Sequence, residues 1–498
     1  MRSDGRDLIR LFAALGGVLF AGAAFADSAL LEAAKSGDTA AALARIESGV
    51  DVDSRDSTGA TALHWAVYNN ATDVISGLLD AGADPNAANR YGSTPMAEAA
   101  IVGDVAVIRA LLEAGADVES PNPEGQTALM AVARTTNLAA AEVLLEAGAD
   151  VNAREAWKGQ TAVMWAAARG RPEMVRLLAA HGADIDARST VNEWPRQTTV
   201  FPRAKYLPSG GLTPLLFAAR EGCAACIAAL IDAGADPNLP DPDEVTPLLM
   251  ALLNGRFDAA AALLDAGANV NKWDWWGRTP LYAAIDYNTL PTGGRFDRPS
   301  TDDTQAIEIV RRLLEAGANP NPRLKLLPPY RNVLDDRGAD PLITIGTTPL
   351  IRAAKGADLA AVDLLLAHGA LADLPQEEGI TPLMAVSGLK WLPINTRGRY
   401  VTEAEAVATA ERLLDGGADI NLQDDLGQTA LHGAASRGWN ELVELLAANG
   451  ADLHAVDNYG ATPLDAALGR MQIPSRGGAA EVHEDTAALI GSLMDRVE

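Results

Sequence analysis

The hydrophobic residues of this chain fall in short helical stripes, and the stripes come in pairs. Between Thr213 and Val245, Leu215, Ala218 and Ala219 share one face of a short helix, and Ile227, Leu230 and Ile231 share one face of a second. Gly222 and Gly234 stand just past the two stripes, where a left-handed residue ends a helix. Thr213 suits the first helix as a hydroxyl cap, and Pro214 suits its first turn, where no backbone N–H is needed. Ala235-Asp236-Pro237-Asn238 then leads into a hairpin-like finger, and Thr246 opens the next copy. The same opening, Thr followed by Pro or Ala and an apolar residue, stands at positions 61, 94, 127, 161, 213, 246, 279, 348, 381, 429 and 462. The spacings are 33, 33, 34, 52, 33, 33, 69, 33, 48 and 33. A fixed period of this size predicts stacked repeats, each burying its apolar face only against its neighbours. The expected fold class is an all-α repeat solenoid of about twelve helix–turn–helix units, each with a finger. Such an array has no central pocket, so its default function is to hold another molecule along an extended face.

The motifs resemble those of the ankyrin-repeat family, which opens on TPLHxAA and closes on GADxN. The best openings are TALHWAV (61–67), TPLLFAA (213–219), TPLYAAI (279–285), TPLIRAA (348–354) and TALHGAA (429–435). The closure recurs as AGADPN, AGADVN, HGADID, AGANVN, AGANPN, GGADIN and NGADLH. The resemblance covers nearly everything from residue 28 onward, and the chain also resembles secreted bacterial ankyrin proteins with long central insertions. Residues 28–60 lack the TPLH opening and read as an N-terminal cap unit, 61–461 as the repeats, and 462–498 as a C-terminal cap unit ending in a polar-faced helix. The expectation is one solenoid domain over 27–498.

Residues 1–26 have a different pattern. Arg2, Arg6 and Arg10 precede an apolar run from Leu11 to Phe25, and Ala24-Phe25-Ala26 fits the small-x-small cleavage rule. The expectation is a signal peptide, a mature start at Asp27, and a periplasmic or secreted bacterial protein with no membrane insertion after cleavage. The alternative is an uncleaved anchor. Net charge is −26, much of it from the closing Asp of each repeat, and it argues against nucleic-acid binding, which needs a basic footprint.

The only cysteines, Cys223 and Cys226, fall at the start of one second helix. Positions three apart on a helix lie within disulfide reach, at about 5 Å between Cα atoms. An oxidising compartment favours the bond; two packed thiols are the alternative. His64 and His432 occupy the TxLH position, where the family's His is a hydrogen-bonded structural residue. No HExxH, GxSxG, P-loop or dinucleotide fingerprint is present, and no catalytic residue, cofactor site or metal site is expected.

Four insertions interrupt the period, and they differ in composition. Residues 187–212, 286–303, 322–347 and 388–402, together with the finger 271–278, comprise 93 residues with 11 of the 24 aromatics. They carry 15 Lys and Arg against 9 Asp and Glu, inside an acidic chain. They include Trp194, Arg196, Phe201, Arg203, Tyr206, Tyr330, Arg331, Trp391, Arg397, Arg399 and Tyr400. Loops of this length are either functional or packed back on their own repeats.

In ankyrin proteins the finger tips and the last residues of the first helices face a binding groove. Carried onto this chain, those positions include Trp157, Lys158, Trp275 and Trp276 on fingers, and Tyr68, Arg134, Arg169 and Arg220 on first helices. Trp and Arg are the common anchors of interfaces. The leading expectation is an exported, monomeric scaffold that binds a protein partner noncovalently. The alternatives are a small-molecule or glycan-binding module that uses the Trp-rich insertions and, more weakly, a secreted effector or a hydrolase.

Overall fold

A computed structural model describes residues 29–194, 209–289, 300–326, 342–390, 401–471 and 481–497. The expected signal peptide and the insertion residues Arg196, Phe201, Arg203, Tyr206, Tyr330, Arg331, Trp391, Arg397, Arg399 and Tyr400 lie outside the described residues. The described residues form twenty-four helices in twelve pairs, and no strand among them is longer than an isolated bridge. The chain divides into two compact units, one of residues 1–128 with 146–149, the other of residues 129–145 with 150–498.

The first unit holds the pairs Ala29–Ser36 with Thr39–Glu47, Ala62–Tyr68 with Thr72–Asp80, and Pro95–Val102 with Val105–Glu113. The opening pair behaves as a cap: its second helix buries only Ala42. The second unit runs through pairs such as Ala162–Ala168 with Pro172–Ala180, and Pro214–Glu221 with Ala224–Asp232, to Pro463–Ala467 with Glu484–Val497. Within each unit the first helix of a pair packs on the first helix of the next, and second helices pack on second helices.

Local chemistry sets each pair. The Leu216 N–H donates to Thr213 Oγ1 at 3.2 Å, Pro214 fills the first turn, and Gly222 ends the helix at φ +86°. Leu215, Ala218, Ala219, Ile227 and Leu230 are buried, and Ile231 is half-buried. Small Ala side chains on the facing sides let helices approach, while each buried Leu or Ile contributes about 1.5–3 kcal/mol.

Two kinds of polar rung connect successive repeats. At the finger tips, a backbone N–H of many fingers donates to a carbonyl of the preceding one: Arg90 to Thr58 at 2.9 Å in the first unit, and Trp275 to Asp243, Lys325 to Trp276 and Glu377 to Ile345, each at 2.9 Å, in the second; Pro123 and Pro242, in the same place, have no N–H to give. At the other turn, the last residue of the closing signature is the bridge. Asn421 Oδ1 accepts the Asp452 N–H at 2.8 Å, and its Nδ2 donates to the Gly450 carbonyl at 3.0 Å. Asn86, Asn152, Asn271 and Asn321 repeat this two-armed bond. Asp373, in the same place, offers only the accepting arm.

The insertions leave their own repeats by packed stems. Residues 189–192 and 209–212 run antiparallel, with the Asn192 N–H donating to the Ser209 carbonyl at 2.7 Å and the Gly211 N–H to the Thr190 carbonyl at 3.0 Å. The returning end of the 286–303 insertion docks on the head of helix Phe257–Asp265. There Thr304 and Asp303 donate to the Asp258 carboxylate, and Ser300 Oγ donates to the Gly255 carbonyl. Trp194, beyond the first stem, is half exposed.

Candidate functional site

The candidate residues fall into two sets, finger tips and helix ends. The fingers without an insertion are built on the residue five or six places before the opening Thr. Asp274 Oδ1 accepts the N–H groups of Trp276 at 3.0 Å and Arg278 at 2.9 Å, and its Oδ2 takes the Arg278 Nε–H at 2.7 Å. Glu155 does the same for Trp157, Lys158 and Gln160. A carboxylate that accepts several turn N–H groups fixes the tip, so the aromatic above it is displayed on a rigid base.

Trp157 is 77 % exposed, the most open large apolar side chain described, with the Lys158 ammonium 4.6 Å from its ring centre. Trp275 is partly exposed, and its N–H is the rung to Asp243. Trp276 is half-buried: the Arg278 guanidinium lies 5.0 Å from its ring, and its carbonyl accepts N–H groups from Lys325 and Leu326. Its backbone therefore clamps the next finger, while Trp275 presents more of its ring. The sequence reading named no role for Trp273, Tyr91 and Tyr459, which are also exposed; Trp273 carries the Lys325 ammonium 4.0 Å over its ring. Tyr91 and Tyr459 stand immediately before the finger glycines Gly92 and Gly460, and that position was the signal available for them.

The helix-end set is less uniform than the sequence suggests. Arg134 follows helix Ala128–Ala133, Arg169 caps Ala162–Ala168, and Arg220 lies in the last turn of Pro214–Glu221. Arg220 stacks on Phe217 at 5.0 Å and pairs with Glu221 at 3.0 Å, so its charge is already answered. Arg134 lies over the Trp165 ring at 5.0 Å. Its guanidinium is pushed below its ordinary value, first by packing against protein and then by the charge of Arg169, although the residue as a whole is exposed. Tyr68, in the first unit, makes an edge-on contact with Trp65 at 5.9 Å.

Cys223 is the N-cap of helix Ala224–Asp232 rather than a residue inside it, and Cys226 is its third residue. The Cα atoms are 5.2 Å apart, the two sulfurs are bonded, and Cys226 is fully buried. His64 and His432 are buried brackets: Thr61 N–H donates to His64 Nδ1 at 3.1 Å, and His64 Nε2–H donates to the Ser93 carbonyl at 3.0 Å. His432 repeats this with Thr429 and Ala461. Among the described residues, no group of three or more His, Cys, Asp or Glu is arranged to hold a metal ion, and no helix is long and apolar enough to cross a membrane.

The sequence model for ankyrin repeats in three copies matches residues 14–89, 30–122, 97–189, 155–241, 215–324 and 400–473. Among solved structures, the human ASB11 ankyrin repeat domain is similar at 24 % identity and a TM-score of 0.40, covering 48 % of this chain and 97 % of that one. The ankyrin repeat domain of Bcl-3, a member of the IkappaB protein family, is similar at 27 % identity and a TM-score of 0.40, covering 48 % of this chain and 98 % of its own. No curated protein matches the chain.

Proposed function

The chain belongs to the ankyrin-repeat family, and from that premise we propose that it holds a protein partner noncovalently, as a scaffold with no chemistry of its own, on the face shared by its finger tips and first-helix ends. Ankyrin repeats generally mediate protein–protein contact. The observation that carries the reading is the open indole of Trp157 above a hydrogen-bonded turn. A large amphipathic ring, held in place before the partner arrives, contributes contact area at low ordering cost. Trp275 and Trp276 extend the same feature along the second unit. The glycan alternative needs a free ring face on which a sugar can stack, and one face of Trp157 and of Trp273 already carries an ammonium group.

The apolar leader ending at Ala26 supports export, with maturation to Asp27 and residence in a bacterial periplasm or beyond; N-terminal sequencing of envelope protein tests it. The partner is to be captured by pull-down from the source cell's envelope and identified by mass spectrometry. Trp157→Ala, and separately Trp275→Ala with Trp276→Ala, are then compared with the parent. A loss of at least about 2 kcal/mol in affinity at unchanged melting temperature is expected. Unchanged affinity in both variants would remove the fingers from the interface.

A further inference from the structure

Three arginines meet at one corner of the second unit. Arg134 lies over the Trp165 ring at 5.0 Å, Arg171 Nε–H donates to the Arg134 carbonyl at 3.2 Å, and Arg169 is near enough for its charge to act on Arg134. Several arginines elsewhere find acids, as Arg220 does Glu221, Arg278 Asp274, Arg312 Asp265 and Arg412 Asp363, while Arg55, Arg154 and Arg188 spend their N–H groups on backbone carbonyls. Among the described residues, none of Arg134, Arg169 and Arg171 has a carboxylate within ion-pair distance. In a chain of 66 acidic and 40 basic residues, three arginines gathered without an ion pair stand out.

Helix ends explain part of it. Arg134 and Arg169 stand at C-termini, where the dipole favours a cation, but Arg171 is the N-cap of Pro172–Ala180, where it does not. A second observation concerns the same indole. The Trp165 Nε1–H is buried without an acceptor, whereas Trp65, at the same position of its own repeat, donates to Asp56 Oδ2 at 3.1 Å. A buried donor left unmatched calls for an acceptor, and none is supplied from within the repeat as it is for Trp65.

We propose that this corner binds a carboxylate carried by an acidic segment of the partner polypeptide, with the exposed Arg134 and Arg169 guanidiniums as the fork and Trp165 as the platform that orients it. A guanidinium stacked on an indole keeps its planar edge free, and that edge matches the two oxygens of a carboxylate. This assignment rests on the partner-holding reading above and names what the partner must present.

The probe is a short peptide, acetyl-Gly-Glu-Glu-Gly-amide, titrated calorimetrically into the full mature chain at low salt, beside its Gln counterpart and a phosphoserine counterpart. The Glu peptide is expected to bind, the Gln peptide to bind at least tenfold more weakly, and added salt to weaken the Glu peptide. Arg134→Gln with Arg169→Gln should reduce Glu-peptide affinity tenfold or more with unchanged helical content and melting. Arg134→Lys, which keeps the charge and loses the fork, should recover only part of it. Equal affinity in parent and double variant, or no preference for Glu over Gln, overturns the assignment. Preference for the phosphoserine peptide at the same arginines overturns it in favour of a phosphorylated partner. Loss of captured-partner binding in the tryptophan variants, with full binding retained in the arginine variant, leaves the scaffold reading standing and sinks this one.

Discussion

The finger acid Asp241 makes neutral pH costly for this fold, and a single substitution should show it. Asp241 is almost fully buried, and its Oδ1 accepts the N–H groups of Asp243 and Val245, each at 2.9 Å. Burial pushes its carboxyl up to about 7, helped by the nearby Asp243 and Asp274 carboxylates and opposed by the two N–H groups. The other charges at this place are Arg278, spent on Asp274, and Arg188, which donates to the Gly211 and Pro240 carbonyls. Between about pH 4 and 7 the folded chain therefore holds a proton that the unfolded chain releases, and stability falls as pH rises. A rise of about three units corresponds to roughly 4 kcal/mol, fully absent below the ordinary value and fully felt above the raised one. The equivalent places in two other fingers carry Asn89 and Asn122, whose Oδ1 atoms accept the matching N–H groups at 2.9–3.0 Å. Asp241→Asn should thus keep the turn and remove the charge. Hydrogen exchange read by mass spectrometry on the segment 236–250 measures the local opening energy at pH 5, 6, 7 and 8. The variant should gain over the parent as pH rises, by up to about 4 kcal/mol at pH 8. Parallel pH profiles, or a variant weaker than the parent at pH 8, would refute the reasoning.

His64 and His432 act in the opposite sense. Burial, against their backbone acceptors, holds both imidazoles below the ordinary value, so stability present above about pH 6.5 falls as pH drops; a melting series from pH 7 to 5 on His64→Ala, His432→Ala should show a flatter acid side and a lower plateau. Gly255→Ala places a Cβ inside the Tyr287 ring at φ +63°, whereas Gly267→Ala, at φ +77°, meets nothing within 4 Å; urea unfolding should show the first to cost at least about 1 kcal/mol more than the second. Reducing the Cys223–Cys226 bond should cost no more than about 2 kcal/mol, because it closes a very short loop; melting with and without reductant checks it.

The repeat was legible because each of its parts has a local cause. Thr213, Pro214 and Gly222 mark a helix whatever surrounds it, and their recurrence fixes the stacking. The Asn of the closing signature could be recognised as recurrent but not explained, since both its partners lie in the next copy. The same limit applies to the candidate face. Arg134, Arg169 and Arg220 look alike in sequence apart from Glu221 beside the last, yet only the fold puts Trp165 under Arg134, 31 residues away. Asp241 resembles any other acid of an acidic chain until its depth is known. Tyr91 and Tyr459 were legible in principle from the tip position, while Arg171 needed the neighbouring turn to bring it to Arg134.

The Asn bridge has a genetic consequence. Asn421 reaches its partner 31 residues on, and Asn321 makes the same two bonds 48 and 50 residues on. The joint is blind to how much chain loops out between its halves, because it grips a Gly carbonyl and an amide present in every copy. Such a gene can lengthen a loop between the two grips, or gain and lose a whole period, without rewriting a single joint, whereas a frame-preserving deletion inside a closing signature unfastens the joints on either side of it.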